Sequence, residues 1–172
     1  MSKYLKRFSH ITDNYMYTQN NESCRGIQME NKNVDLRELT APCGLDCFNC
    51  VFYLANDNEA ARKQVESFAQ QFGFTLDKAL CKGCRARNGV PPLRVESCKV
   101  FKCISSKGVE FCSDCSDFPC DNLHPYADMA TLVPHNMKVF NLCLIRKMGV
   151  EKWASEKAKL VRDTYFGGKW NI

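Results

Sequence analysis

The sequence predicts a mainly α-helical single domain in which irregular cysteine-rich metal knuckles separate the helices, with a small α+β arrangement as the alternative. Three observations carry this. Ten cysteines between Cys43 and Cys120 fall into closely spaced groups, apolar residues recur at helical spacing between and after those groups, and 172 residues make room for one domain with a core but not for two.

In chain order, residues 1–40 are expected to form a flexible N-terminal extension. Residues 1–38 are rich in Asn, Gln, Ser, Thr and Tyr, show no sustained period and hold one lone cysteine, Cys24, expected to be a free thiol. The domain itself is assigned to 41–166. Val65, Phe68, Ala69 and Phe72 predict a helix over 58–72, with Asn56 and Glu59 as its capping box and Gly73 as its stop. Pro91 and Pro92 force an extended crossing. A shorter helix is expected over 98–106, ended by Lys107-Gly108. Asn136 is positioned to cap a further helix whose apolar residues include Val139, Phe140, Leu142, Cys143 and Leu144, with Cys143 expected in the core and Gly149 closing the element. Trp153, Lys157, Leu160, Val161 and Thr164 trace a second amphipathic face. Residues 167–172 are expected to be a loose tail.

No run approaches the ~18 consecutive apolar residues of a membrane span, and the basic start Met1–Arg7 lacks the apolar stretch of a secretory signal. The chain is therefore expected to be cytoplasmic, with no membrane contact. In a reducing cytosol, clustered cysteines point to metal ligands before disulfides.

The pairs Cys81-Lys82-Gly83-Cys84 and Cys112-Ser113-Asp114-Cys115 have the C-x2-C spacing that lets two thiolates converge on one ion at about 2.3 Å, and together they fit the zinc-ribbon scheme. Cys43, Cys47 and Cys50 form C-x3-C-x2-C, also the cluster motif of radical S-adenosylmethionine enzymes. Those enzymes build on a partial β/α barrel; a full barrel takes about 250 residues, and its strand–helix alternation is missing here. This triplet needs a fourth ligand from Cys98, Cys103 or Cys120, and either zinc or a [4Fe–4S] cluster fits it. Five residues apart on a helix, Cys98 and Cys103 point about 140° away from each other, which assigns them to different sites. All ten cysteines are candidate metal ligands. His124, four residues after Cys120, is expected to be a surface or packing residue in preference to a ligand, and His10 and His135 belong to no motif.

The net charge of +5 is spread along the chain except over 81–107, where Lys82, Arg85, Arg87, Arg94, Lys99, Lys102 and Lys107 face only Glu96. A zinc ion held by four thiolates carries a net charge of about −2, and compensation of that charge is favoured over phosphate binding.

The run Pro42-Cys43-Gly44-Leu45-Asp46-Cys47 with Cys50, then Cys81-Lys82-Gly83-Cys84, then Lys107 through Cys120, resembles the uncharacterised cysteine-rich domain-of-unknown-function family 3795. Asn141-Leu142 and Gly149–Trp153 resemble its C-terminal helical part, so the likeness spans about 41–165. The resemblance implies metal binding through these cysteines and no assigned activity. The family's anaerobic setting raises the weight of iron–sulfur chemistry. Members often end in a further C-x2-C pair, where this chain has Gly167-Gly168-Lys169-Trp170.

Serine-triad, P-loop and dinucleotide signatures are absent from the sequence, so no enzyme is predicted. The leading expectation is a binding module stabilised by one or two zinc ions. A protein partner is preferred over nucleic acid, because Glu110, Asp114, Asp117 and Asp121 crowd the last knuckle. A [4Fe–4S] redox protein is the alternative, and thiol–disulfide exchange ranks last.

Overall fold

The computed structural model describes residues 34–92, 94–124 and 136–167. Among them every regular element is helical, and the one sheet-like contact is an isolated antiparallel bridge between Thr40 and Asp46. Cys24, His10, His135 and the tail beyond Gly167 lie outside the described residues.

Helices α1 (Val51–Leu54), α2 (Glu59–Gln71) and α3 (Leu76–Ala79) share one small core. Ala61, Val65 and Ala69, at successive helical turns of α2, are buried against Ala55 and Ala79. The Phe68 ring bridges Phe52 at 5.6 Å and Phe72 at 4.7 Å. The cap of α2 is Asn58, whose Oδ1 accepts the Ala61 N–H at 2.9 Å. The expected cap, Asn56, instead donates its amide to the carbonyls of Tyr53 and Cys81, both at 2.7 Å. Asn58→Ala is expected to cost about 1 kcal/mol, read as a lower urea midpoint.

The larger core surrounds Trp153, Leu142, Leu123 and Phe48, with the Trp153 and Phe48 rings edge to face at 6.0 Å. Helix α4 (Lys99–Lys107) contributes Val100 and Ile104 and stops at Gly108, which adopts φ +64°. Helix α5 (Asn136–Met148) turns inward along Lys138, Asn141, Leu142 and Ile145. That spacing of three, one and three residues leaves Cys143 on the outer face, so the expectation of a core Cys143 is corrected: it is exposed.

After Gly149 the chain runs through α6 (Val150–Trp153), a π turn (Ala154–Ala158) and α7 (Lys159–Gly167). The buried stripe is Val150, Trp153, Ala154 and Ala158. The expected face through Lys157 and Leu160 is wrong by about one residue because the wider π turn shifts the register, and Leu160 is 59% exposed.

The described residues just before Ala41 pack on the body of the protein. Val34 and Leu36 pack on the larger core, Leu39 and Thr40 are buried, and Arg37 bridges Glu110 at 2.7 Å and Glu151 at 2.9 Å. No helix among the described residues is long and apolar enough to cross a membrane.

Candidate metal centres

None of the eleven described cysteines is in a disulfide. Ten of them gather in two adjoining groups.

The first group starts in the loop Ala41–Leu45, closed by Gly44 N–H to Ala41 O at 2.8 Å and Ala41 N–H to Leu45 O at 2.9 Å. Gly44 has φ +84°, and a Cβ there would meet Lys138 O at 2.8 Å and Leu142 Cγ at 2.9 Å. Only glycine lets this loop lie so close to α5, and Asn141 Nδ2 fastens it by donating to Gly44 O at 2.8 Å. Asp46, fully buried between Cys43 and Cys47, accepts from Arg162 Nε at 2.7 Å and from Asn49 Nδ2 at 3.0 Å, so α7 grips the cysteine loop from the far end of the chain.

Backbone bonds then stitch later cysteines onto this loop. Cys81 N–H donates to Phe52 O at 2.9 Å, beside Cys50. Cys84 lies near Cys43, Cys47 and Cys81, each of which opposes its ionisation. Gly89 N–H donates to Cys84 O at 2.8 Å and Cys98 N–H to Gly89 O at 2.9 Å, which brings the cap of α4 to Cys84.

The sulfurs repeat one device. Cys81 accepts from the Gly83 amide at 3.4 Å and Cys98 from the Phe101 amide at 3.3 Å. Amides aimed at sulfur are the outer-shell pattern that steadies a thiolate ligand. Gly83, at φ +94°, gives its knuckle the turn the sequence led one to expect.

The second group is enclosed differently. Cys103 of α4, Cys112 and Cys115 of the following 3-10 knuckle, and Cys120 line one cavity of about 220 Å³ together with Lys107 and Asp117. Cys115 Sγ accepts from Asp117 N–H and from Lys107 Nζ, both at 3.4 Å. The Asp117 carboxylate, first, and Cys115, second, raise the affinity of Lys107 for its proton, and the same ion pair holds Asp117 below the usual carboxylate range.

Cys112 N–H donates to Pro42 O at 2.9 Å, and Cys43 lies near enough to oppose ionisation of Cys112, so the groups share a wall. Among the described residues, no three His, Cys, Asp or Glu side chains are already drawn into a coordination shell.

Burial dominates the thiol chemistry. It pushes Cys47 and Cys112 up to about 12 and raises Cys43, Cys50 and Cys84, with neighbouring thiols adding to the effect. Lys138 opposes the rise at Cys43, and Arg162 opposes it at Cys50. A thiol in the unfolded chain ionises near 9.0, whereas Cys47 and Cys112 keep their protons to about 12. Between these values the unfolded state holds fewer protons, so this contribution is complete below pH 9 and falls away as pH rises. Metal-free, reduced protein is therefore expected to lose stability progressively above pH 9 in urea titrations.

All ten predicted ligands are thus near other thiols, but the C-x2-C pairs are not partners of each other. Cys81 and Cys84 meet the Cys43–Cys50 loop, while Cys112 and Cys115 meet Cys103 and Cys120. Cys98 and Cys103 fall in separate groups. His124 is exposed and outside the cavity lining. Three residues not singled out from the sequence as part of the site, Asp46, Lys138 and Arg162, carry charge at the first group.

The basic segment has internal uses. Arg85 donates to the carbonyls of Thr40 and Glu110 and stacks over Phe111 at 5.1 Å, and Arg87 donates to Leu80 O at 2.9 Å. Three of the four acidic residues offered as a partner surface are also engaged: Glu110 with Arg37, Asp117 with Lys107, and Asp114 Oδ2 with the Phe111 amide at 3.0 Å.

A family model described as a protein of unknown function (DUF3795) matches residues 39–125, which contain all ten grouped cysteines. No curated protein and no solved structure matches the chain.

Proposed function

The chain belongs to the DUF3795 family of unknown function, and from that premise we propose that it is a metal-binding protein whose thiolates hold zinc and thereby fix the loops between its helices. The observation that carries this reading is the cavity lined by Cys103, Cys112, Cys115 and Cys120. Four thiols are the full ligand set of a closed structural zinc site, and such a site needs no group from outside the chain. Lys107 beside Cys115 offsets the negative charge left on a tetrathiolate ion.

When bound, zinc supplies a cross-link between α4 and the knuckle loops. The chain's own residues position the thiols, aim amides at the sulfurs and place cations beside them. In this reading the metal builds a surface, and the protein acts as a binding module.

The closely spaced triplet Cys43, Cys47 and Cys50, with Cys81 brought beside Cys50 by its bond to Phe52 O, favours a second reading for the first group, a [4Fe–4S] cluster with redox function. Metal and acid-labile sulfide analysis, with an absorption spectrum, on protein isolated without oxygen or chelator separates the readings. Zinc with no visible band is expected. Iron with sulfide and a band near ~400 nm selects the redox reading. Metal-free protein with all thiols titratable overturns both.

A further inference from the structure

A groove of about 540 Å³ lies along the C-terminal helices, and none of the grouped cysteines lines it. Its walls are Leu144, Lys147 and Met148 of α5, Lys152 of α6, and Glu156 and Lys157 of the π turn. The floor is apolar, since Leu144 and Met148 are half-buried and pack on the larger core. Phe140, Leu144 and Met148 follow one another at intervals of four, which places them on one face of α5. Phe140 is 55% exposed, so the apolar strip continues beyond the groove. Eight residues of helix rise about 12 Å, enough for two turns of a partner helix to lie alongside.

The rim is cationic and not neutralised. Lys147, Lys152 and Lys157 are exposed, and none of them joins an ion pair among the described residues. Elsewhere Arg37, Lys107, Lys159 and Arg162 each face a carboxylate of the chain itself. Three free cations over an apolar floor call for a ligand that brings both carboxylates and apolar side chains.

We infer that this groove docks an acidic amphipathic helix of a partner protein, whose apolar side chains lie along Phe140, Leu144 and Met148 while its carboxylates meet Lys147, Lys152 and Lys157. This rests on the binding-module reading above and names the partner's chemistry. The chain's own segments lack the charge to fill the role. Residues 1–33 hold five basic and three acidic residues, and 125–135 hold one acidic residue, Asp128. A second copy, at a net +5, brings like charge. A nucleic-acid backbone has no apolar side chains for the floor, and a bilayer surface is flat where this surface is concave.

The test titrates the full chain, as isolated with its metal, into a fluorescent helical peptide of roughly 16 residues, read by anisotropy. The peptide has leucine at every third or fourth position and glutamate elsewhere, and its control has lysine for each glutamate. Saturable binding of the acidic peptide is expected, weakening as salt rises, with none of the basic one. The double variant Lys147→Glu/Lys152→Glu is expected to bind at least about tenfold more weakly, with metal content and urea midpoint unchanged. Phe140→Ala is expected to weaken binding as well. Lys78→Glu/Lys99→Glu, the same charge change outside the groove, is expected to keep the affinity within about twofold. Equal losses in the two double variants overturn the groove. So does preferential binding to phosphatidylserine vesicles, or self-association that Lys147→Glu/Lys152→Glu abolishes, because each names a different occupant. No peptide binding by protein with its full metal content overturns the groove and leaves the metal-binding reading standing. Protein isolated without metal overturns that reading, whatever the peptide does.

Discussion

Cys115→Ser is expected to release one metal ion and, with it, the folded state around α4. Cys115 is only half-buried, so exchange of sulfur for oxygen costs little packing, and the effect reports coordination. Its sulfur is held by the Asp117 amide and by Lys107, and serine at this position is a poor zinc ligand. Structural zinc in small peptides contributes about 10–16 kcal/mol of apparent binding energy at neutral pH. That is comparable with the ~5–15 kcal/mol stability of an ordinary domain, so its loss removes most of the margin that keeps this region folded. The expected result is one fewer metal per chain by mass, together with a lower and broader urea transition. Cys143→Ser, at an exposed sulfur outside both groups, is expected to change neither. Equal metal content in the Cys115 variant and the unaltered protein contradicts a ligand role.

Arg162→Ala is expected to destabilise the protein by about 3–5 kcal/mol, because it leaves the fully buried Asp46 carboxylate without its counter-charge. The cost arises from one orphaned ion and not from the worth of the pair, so replacing both partners with apolar residues is expected to cost less. Asp46 lies between Cys43 and Cys47, and its release loosens the loop that presents them. Weaker metal retention by the first group is therefore expected alongside the stability loss, measured by competition with a chelator. A loss under about 1 kcal/mol in urea unfolding, the range of an exposed pair, contradicts the strut assigned to Arg162.

The helices were legible where local pattern decides them. Val65 and Ala69 mark α2 because helical spacing and burial coincide, and Gly73 and Gly108 mark stops because each adopts positive φ. Asn56 was the wrong cap because two asparagines stand within reach of the helix start, and only the fold reveals that Asn56 is engaged by Cys81. Cys143 misled because an apolar neighbourhood in sequence does not say which face of α5 it occupies.

The site was legible as a set of residues but not as a partition. Spacing announces the Cys81/Cys84 and Cys112/Cys115 knuckles, since each is closed by its own turn. Which knuckle meets which depends on bonds such as Cys81 to Phe52 and Cys112 to Pro42, and these have no local signature. Arg162 is the extreme case, a single basic residue on a C-terminal helix, 116 positions from the carboxylate it grips.

The most direct measurement is alkylation of the reduced protein, as isolated and unchelated, followed by peptide mass spectrometry before and after chelator. Cys143 is expected to react at once in both samples, and the ten cysteines from Cys43 to Cys120 are expected to resist until the chelator is added. If those ten react to the same extent with and without chelator, they are not metal ligands and the zinc reading falls.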